Sequence, residues 1–144
     1  MLAATYILAA VLLASSTVAA GELTFEPEAP PACESPAPLR LLLKDVELPR
    51  SRAVTIRAYA KRPGRGEESF IGLFAVMADS ATAVGNRKLP QARVTATPAF
   101  RRWIEPSSPE RRLSIILRPF AGKTAMKDLD WSVRAVEWAC NNQR

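Results

Sequence analysis

The side chains that could do chemistry in this chain are defined first by one that is missing. Its 144 residues include no histidine. That removes imidazole acid–base catalysis, Ser-His and Cys-His nucleophile pairs, and the usual zinc and copper ligands. Carboxylates remain at Glu67 and Glu68, Glu105 and Glu110, Asp128 and Asp130. A glycosidase-type pair would need two of them facing each other across a cleft. Each instead lies in a stretch rich in Ser, Pro, Gly or Lys, where solvated charge is the rule. Asp128-x-Asp130 has the spacing that opens a calcium loop but lacks the further ligands. Gly64-Arg-Gly66 is too short for a phosphate loop and precedes no helical pattern. No catalytic, cofactor-binding or metal-binding residue is expected.

Two cysteines, Cys33 and Cys140, stand near the two ends of the chain that follows the leader described below. Nothing resembles CxxC, and two sulfurs alone make an incomplete metal site. A single structural disulfide is the expectation, in keeping with an oxidising compartment. Closing so long a loop would contribute on the order of 4 kcal/mol by restricting the unfolded chain. Lipidation of Cys33 does not fit, because Pro30-Pro-Ala32 precedes it and the apolar run ends well before.

Trp103, Trp131 and Trp138 could line a glycan-binding surface, although in a small sandwich the core is the commoner place for them. Arginine is in excess, and the net charge is +6. The segment 21–38 holds Glu22, Glu26, Glu28 and Glu34 with no base; setting those acids aside leaves +10 on residues 39–144. Arg101, Arg102, Trp103, Arg111 and Arg112 form the candidate partner or ligand surface. The plainer reading is an arginine-rich composition scattered over outward strand positions. No basic stretch is interleaved with aromatics as a nucleic-acid groove would be, so no nucleic-acid partner is expected.

Residues 1–20 read as an export signal. They carry no charged side chain, contain the run Tyr6-Ile-Leu-Ala-Ala-Val-Leu-Leu13, and end in small residues with Val18 and Ala20 placed for cleavage. The run is short for a membrane span. Cleaved or retained as an anchor, it places the rest of the chain outside the cytoplasm, periplasmic or secreted. No Asn-x-Ser/Thr acceptor is present.

The elements that must position these residues follow from hydrophobic period. The acidic, proline-rich segment 21–38 should be extended and without regular structure. Period two then begins: 39–48 puts Leu39, Leu41 and Leu43 on one side, and 53–60 puts Val54, Ile56 and Ala58 on one side. The short link Pro49-Arg-Ser-Arg52 between them suggests a paired antiparallel hairpin. Residues 69–78, SFIGLFAVMA, are nearly all apolar and should be a central strand. Gly72 within them fits a bulge, or a close crossing by another backbone or a ring such as Phe70 or a facing tryptophan. A weak strand at 91–97, a helical turn at 98–104 opened by Pro98, and strands at 111–119 and 131–139 complete the pattern. Leu113, Ile115 and Leu117 should point inward. The expectation is an all-β protein, an antiparallel β-sandwich of about six to eight short strands, Greek-key-like, with one helical turn, over 39–144.

The series LRLLLKDVELP, AVTIRAYAKRPG, SFIGLFAVMA, RRLSIILRPFAG and WSVRAVEW resembles the small β-sandwich that follows the di-copper domain in some tyrosinase and polyphenol oxidase relatives. The matching residues are Arg57 and Tyr59; Phe70, Gly72 and Phe74; Leu113, Leu117 and Pro119; and Val133, Arg134, Val136 and Glu137. The resemblance implies the fold, and a role packed against a copper oxidase, shielding its entrance or supporting it. The copper chemistry is not expected to come with it, since the segment ahead of these strands reads as an export signal rather than copper-binding helices and Asp79-Ser80 stands where relatives often carry histidine. The expected function is a non-enzymatic exported accessory or protein-binding domain with a protein partner in the cell envelope or medium. The rival is a binding module for glycans or anionic envelope polymers.

Overall fold

A computed structural model of the chain describes residues 21–34, 37–64, 66–104 and 112–140. The expected leader, Glu105, Glu110 and Arg111 lie outside the described residues. Eight strands and one short helix run in the order β1 (Leu23–Phe25), β2 (Leu39–Pro49), β3 (Val54–Lys61), β4 (Glu68–Val76), β5 (Asn86–Thr95), α1 (Pro98–Ile104), β6 (Ser114–Ala121), β7 (Thr124–Ala125) and β8 (Ser132–Cys140). They form two antiparallel sheets. One has the order β1-β6-β3-β4, with β7 added to β6, and the other has β5-β2-β8. The described residues form the expected all-β sandwich, with the short helix α1 where the helical turn was expected.

Alternation accounts for the core. In β3, Val54, Ile56, Ala58 and Ala60 are buried while Thr55, Arg57, Tyr59 and Lys61 face out. Leu39, Leu41 and Leu43 of β2 meet them from the other sheet, with Leu113, Ile115 and Leu117 inward as expected. Beyond Leu43 the period slips. Asp45 adopts a left-handed backbone (φ 50°) and the next buried residues are Val46 and Leu48. The neighbours slip at the same level: β8 buries Val133 and Val136, and β5 buries Ala92 while half-burying Leu89. A short polar side chain tolerates this backbone better than a branched one, so aspartate suits the crease.

Three expectations are corrected. β2 and β3 are not a hairpin: Pro49–Arg52 carries the chain from one sheet to the other, and β3 pairs with β4 and β6. The apolar run is not central but the edge of its sheet, with Ile71 and Gly72 its only buried residues. Segment 21–38 includes a strand, β1, which pairs with β6 from Leu23 opposite Leu117 to Phe25 opposite Ile115.

The gap between the sheets closes differently on its two sides. At β4 the register with β3 shifts around Ile71, and β5 crosses over Gly72. A Cβ on Gly72 would lie 2.5 Å from the Thr95 carbonyl oxygen and 2.9 Å from Val94 Cγ1. A backbone, rather than a ring, is therefore the neighbour that requires glycine. The Thr97 N–H donates to the Ile71 carbonyl at 2.8 Å and secures the crossing. On the opposite side the N-terminal segment acts as a strap. β1 extends one sheet, and Cys33 is joined to Cys140 at the end of β8 by the expected disulfide, 107 residues apart.

Candidate functional site

The helix α1 carries the aromatic part of the expected surface. The Thr97 hydroxyl accepts from the Phe100 N–H at 3.1 Å, which caps the first turn. Phe100 is fully buried, with Trp138 on one side at 5.6 Å and Trp103 at 5.8 Å, both stacked. The Arg62 guanidinium lies 4.1 Å over the Trp103 ring and also donates to the Trp103 carbonyl oxygen. Trp103 is thus half-buried between structural neighbours rather than an open platform. Trp131 is buried, and its indole N–H donates to the Gly21 carbonyl. All three tryptophans serve the fold.

Of the expected arginines, Arg102 and Arg112 are exposed and Arg101 is half-buried. Arg101, Arg102 and Trp103 share the helix. No hydrogen bond or ion pair among the described residues joins Arg112 to it. The candidate acids do not converge either. Glu67 is exposed in the loop before β4, and Asp128 and Asp130 are exposed on either side of buried Leu129. No group of three or more Cys, Asp or Glu that could hold a metal occurs among the described residues.

The most organised polar cluster lies on the outer face of the five-stranded sheet. Arg118 of β6 holds both Glu68 oxygens, at 2.7 and 2.8 Å, and its Nε bonds Glu22 at 3.0 Å. The guanidinium also sits 4.9 Å over Tyr59, whose ring meets Phe70 at 5.6 Å. The hydrogen bond from Arg118 holds the Glu68 carboxyl below its ordinary value, against a smaller opposing effect of burial. The same bond raises Arg118 further. This cluster stitches the strap to the sheet edge, and its geometry is that of a clamp, not of an acid–base pair. Arg57, opposite Arg118 on the next strand, lies 4.1 Å over Phe120.

On the other sheet the crease opens a shallow groove lined by Asp45, Glu47, Lys88, Leu89, Pro90 and Arg134 among others. Each of its acids is already paired, Asp45 with Arg134 and Glu47 with Lys88 at 3.6 Å.

One feature escaped the reading of the sequence. The exposed large apolar side chains among the described residues are Phe70, Leu73, Met77 and Val84, all from β4 and the loop after it. The signal was present as ten uncharged residues, Ser69–Ala78, but an apolar run reads as buried unless its sheet position is known.

A closed antiparallel sandwich with a cross-sheet strap defines an all-β scaffold. No family model matches the sequence, and a comparison with curated proteins gave no match. Among solved structures the fold is similar to a latent aurone synthase, a polyphenol oxidase from a natural source, with a TM-score of 0.54 and 14% identity. The match covers 83% of this chain and only 24% of that one, so the likeness is to one domain of a longer protein. It bears out the resemblance to a polyphenol oxidase domain at the level of the fold.

Proposed function

We propose that the chain is a non-enzymatic exported protein that acts as an accessory or shielding domain for another exported protein, with a tyrosinase-like copper oxidase as the candidate partner. Residues 1–20 serve as the export signal in this reading, 21–38 as an acidic strap, and 39–144 as the binding sandwich. The observation that carries it is the fold likeness to a part of a polyphenol oxidase over most of this chain. The Cys33–Cys140 disulfide supports an oxidising destination. No helix among the described residues is long and apolar enough to cross a membrane.

The test is co-purification from the native envelope and medium fractions, followed by assay of o-diphenol oxidation by any di-copper protein recovered. A reproducible stoichiometric partner, with oxidation suppressed or stabilised by the chain, is expected. Recovery of no reproducible protein partner would overturn the proposal. The rival module for glycans or anionic polymers draws support only from the cationic excess, since the tryptophans it would use are engaged in the fold. Salt-sensitive heparin retention that falls on charge reversal at Arg101, Arg102, Arg111 and Arg112 would favour it.

A further inference from the structure

We infer that the outer side of β4 and the loop after it form the docking surface, and that its partner presents an apolar strip bordered by carboxylates. The inference rests on the protein-binding reading above and adds where the contact lies and what chemistry meets it. Phe70 is 38% exposed, Leu73 50%, Met77 76% and Val84 90%. Phe70 and Leu73 project from the solvent side of β4, in line with Tyr59 and Arg57 of β3. Met77 follows directly after the strand. The loop is drawn back onto the β2–β3 turn by two backbone bonds: the Asp79 N–H donates to the Arg50 carbonyl at 2.8 Å, and the Arg50 N–H to the Gly85 carbonyl at 3.1 Å. Those bonds pin the loop's two ends, one beside Met77 and the other beside Val84.

An edge strand uncharged from Ser69 to its end at Val76 departs from the usual protection of sheet edges by lysine, proline or inward charge. Crossing by β5 at Gly72 shields the edge itself, yet leaves the outward row uncovered. Several large apolar side chains left uncovered on one strand and the loop after it are the kind of surface that marks an interaction site.

Charge decides the occupant. The stripe's loop end is bordered by Arg50 and Arg87, against which stands Asp79, shared by Arg87 and, at 4.0 Å, Arg50. Arg57 stands beside Leu73 and pairs with no carboxylate among the described residues, whereas neighbouring Arg118 is satisfied by Glu68 and Glu22. From Leu73 to the loop end the border is therefore net cationic. A second copy of a chain carrying +6 would bring like charge to this border. A partner with carboxylates beside an apolar strip brings the complement.

The test places a photo-reactive residue at Met77, and separately at Lys88 on the opposite sheet, in the full chain expressed in intact host cells. A cross-link from position 77 to an acidic exported protein is expected. Leu73→Ser, which removes an apolar side chain already half exposed, should cut it about tenfold if Leu73 is a hot spot while leaving the melting temperature in place. Arg57→Gln, which removes the cation beside Leu73, should cut it as well and weaken its sensitivity to salt. A partner captured from position 88 alone would leave the protein-binding reading standing and overturn this surface. Absence of a cross-link from either position would overturn both. Capture at position 77 of a second copy of the chain, or of a basic protein, would overturn the assignment of the occupant.

Discussion

The carbonyl oxygen of Thr95 occupies the space where Gly72 would carry a side chain. At 2.5 Å from a Cβ built on Gly72, it is closer than nonbonded atoms can approach, and Val94 Cγ1 at 2.9 Å blocks the other direction. Since the obstacle is backbone, relief requires β4 and β5 to part, and the Thr97–Ile71 hydrogen bond lies within that seam.

Gly72→Val is therefore expected to destabilise the fold by about 1–3 kcal/mol through overpacking. Thermal unfolding would register this as a drop of several degrees. Gly72→Ala should cost less but still lower the midpoint. An unchanged melting temperature in the valine variant would contradict the crossing.

The disulfide closes a sequence separation of 107 residues. Replacing both cysteines, Cys33→Ser with Cys140→Ser, should cost about 4–5 kcal/mol on the loop-entropy account. Urea denaturation of the oxidised chain and of the double variant measures the difference. The loss should appear first as faster amide exchange in β1, the strand of the strap.

Gly21 is held at φ 101°, with the Met126 carbonyl oxygen in the space any Cβ would need and its own carbonyl accepting from the Trp131 indole N–H. Gly21→Ala should detach the start of the strap and expose Trp131. A red shift in tryptophan emission, with the sandwich still folded, is the expected result.

The Arg118 clamp gives stability a dependence on pH. Glu68 titrates below its ordinary value of 4.5 in the folded chain. A carboxylate depressed on folding contributes stability that is present above its unfolded pKa and is lost as pH falls through the folded one. Denaturant midpoints should thus fall below about pH 4.5, and Glu68→Gln should flatten that part of the profile. The half-exposed setting of the pair keeps the effect modest. Equal slopes in the two proteins would contradict a role for Glu68.

Where the residues themselves set the structure, the sequence was legible. Pro98 opens α1, the alternation of Val54, Ile56 and Ala58 makes β3 a two-faced strand, and the lone cysteine pair finds itself. What escaped depends on partners distant in the chain. The hairpin expected across Pro49–Arg52 failed because a short polar link can turn within a sheet or pass between two, and β6 decides which. β1 lay hidden among prolines and glutamates because three residues suffice when β6 offers an edge. The slip at Asp45 is invisible to periodicity, being a backbone conformation rather than a residue type. The outward apolar row of β4 reads as part of a central strand until its sheet position is known, because nothing in Ser69–Ala78 says which side is covered.

The central claim is that this sandwich binds another exported protein and performs no chemistry itself. Its most direct measurement is light scattering on size-exclusion chromatography of the oxidised chain mixed with a di-copper oxidase exported by the same cells, with o-diphenol oxidation followed in parallel. The account predicts a complex of fixed stoichiometry that weakens with salt and with Leu73→Ser, together with altered turnover of the oxidase. Two peaks eluting as the separate proteins at every concentration, with oxidation unchanged, would contradict the copper oxidase as the partner.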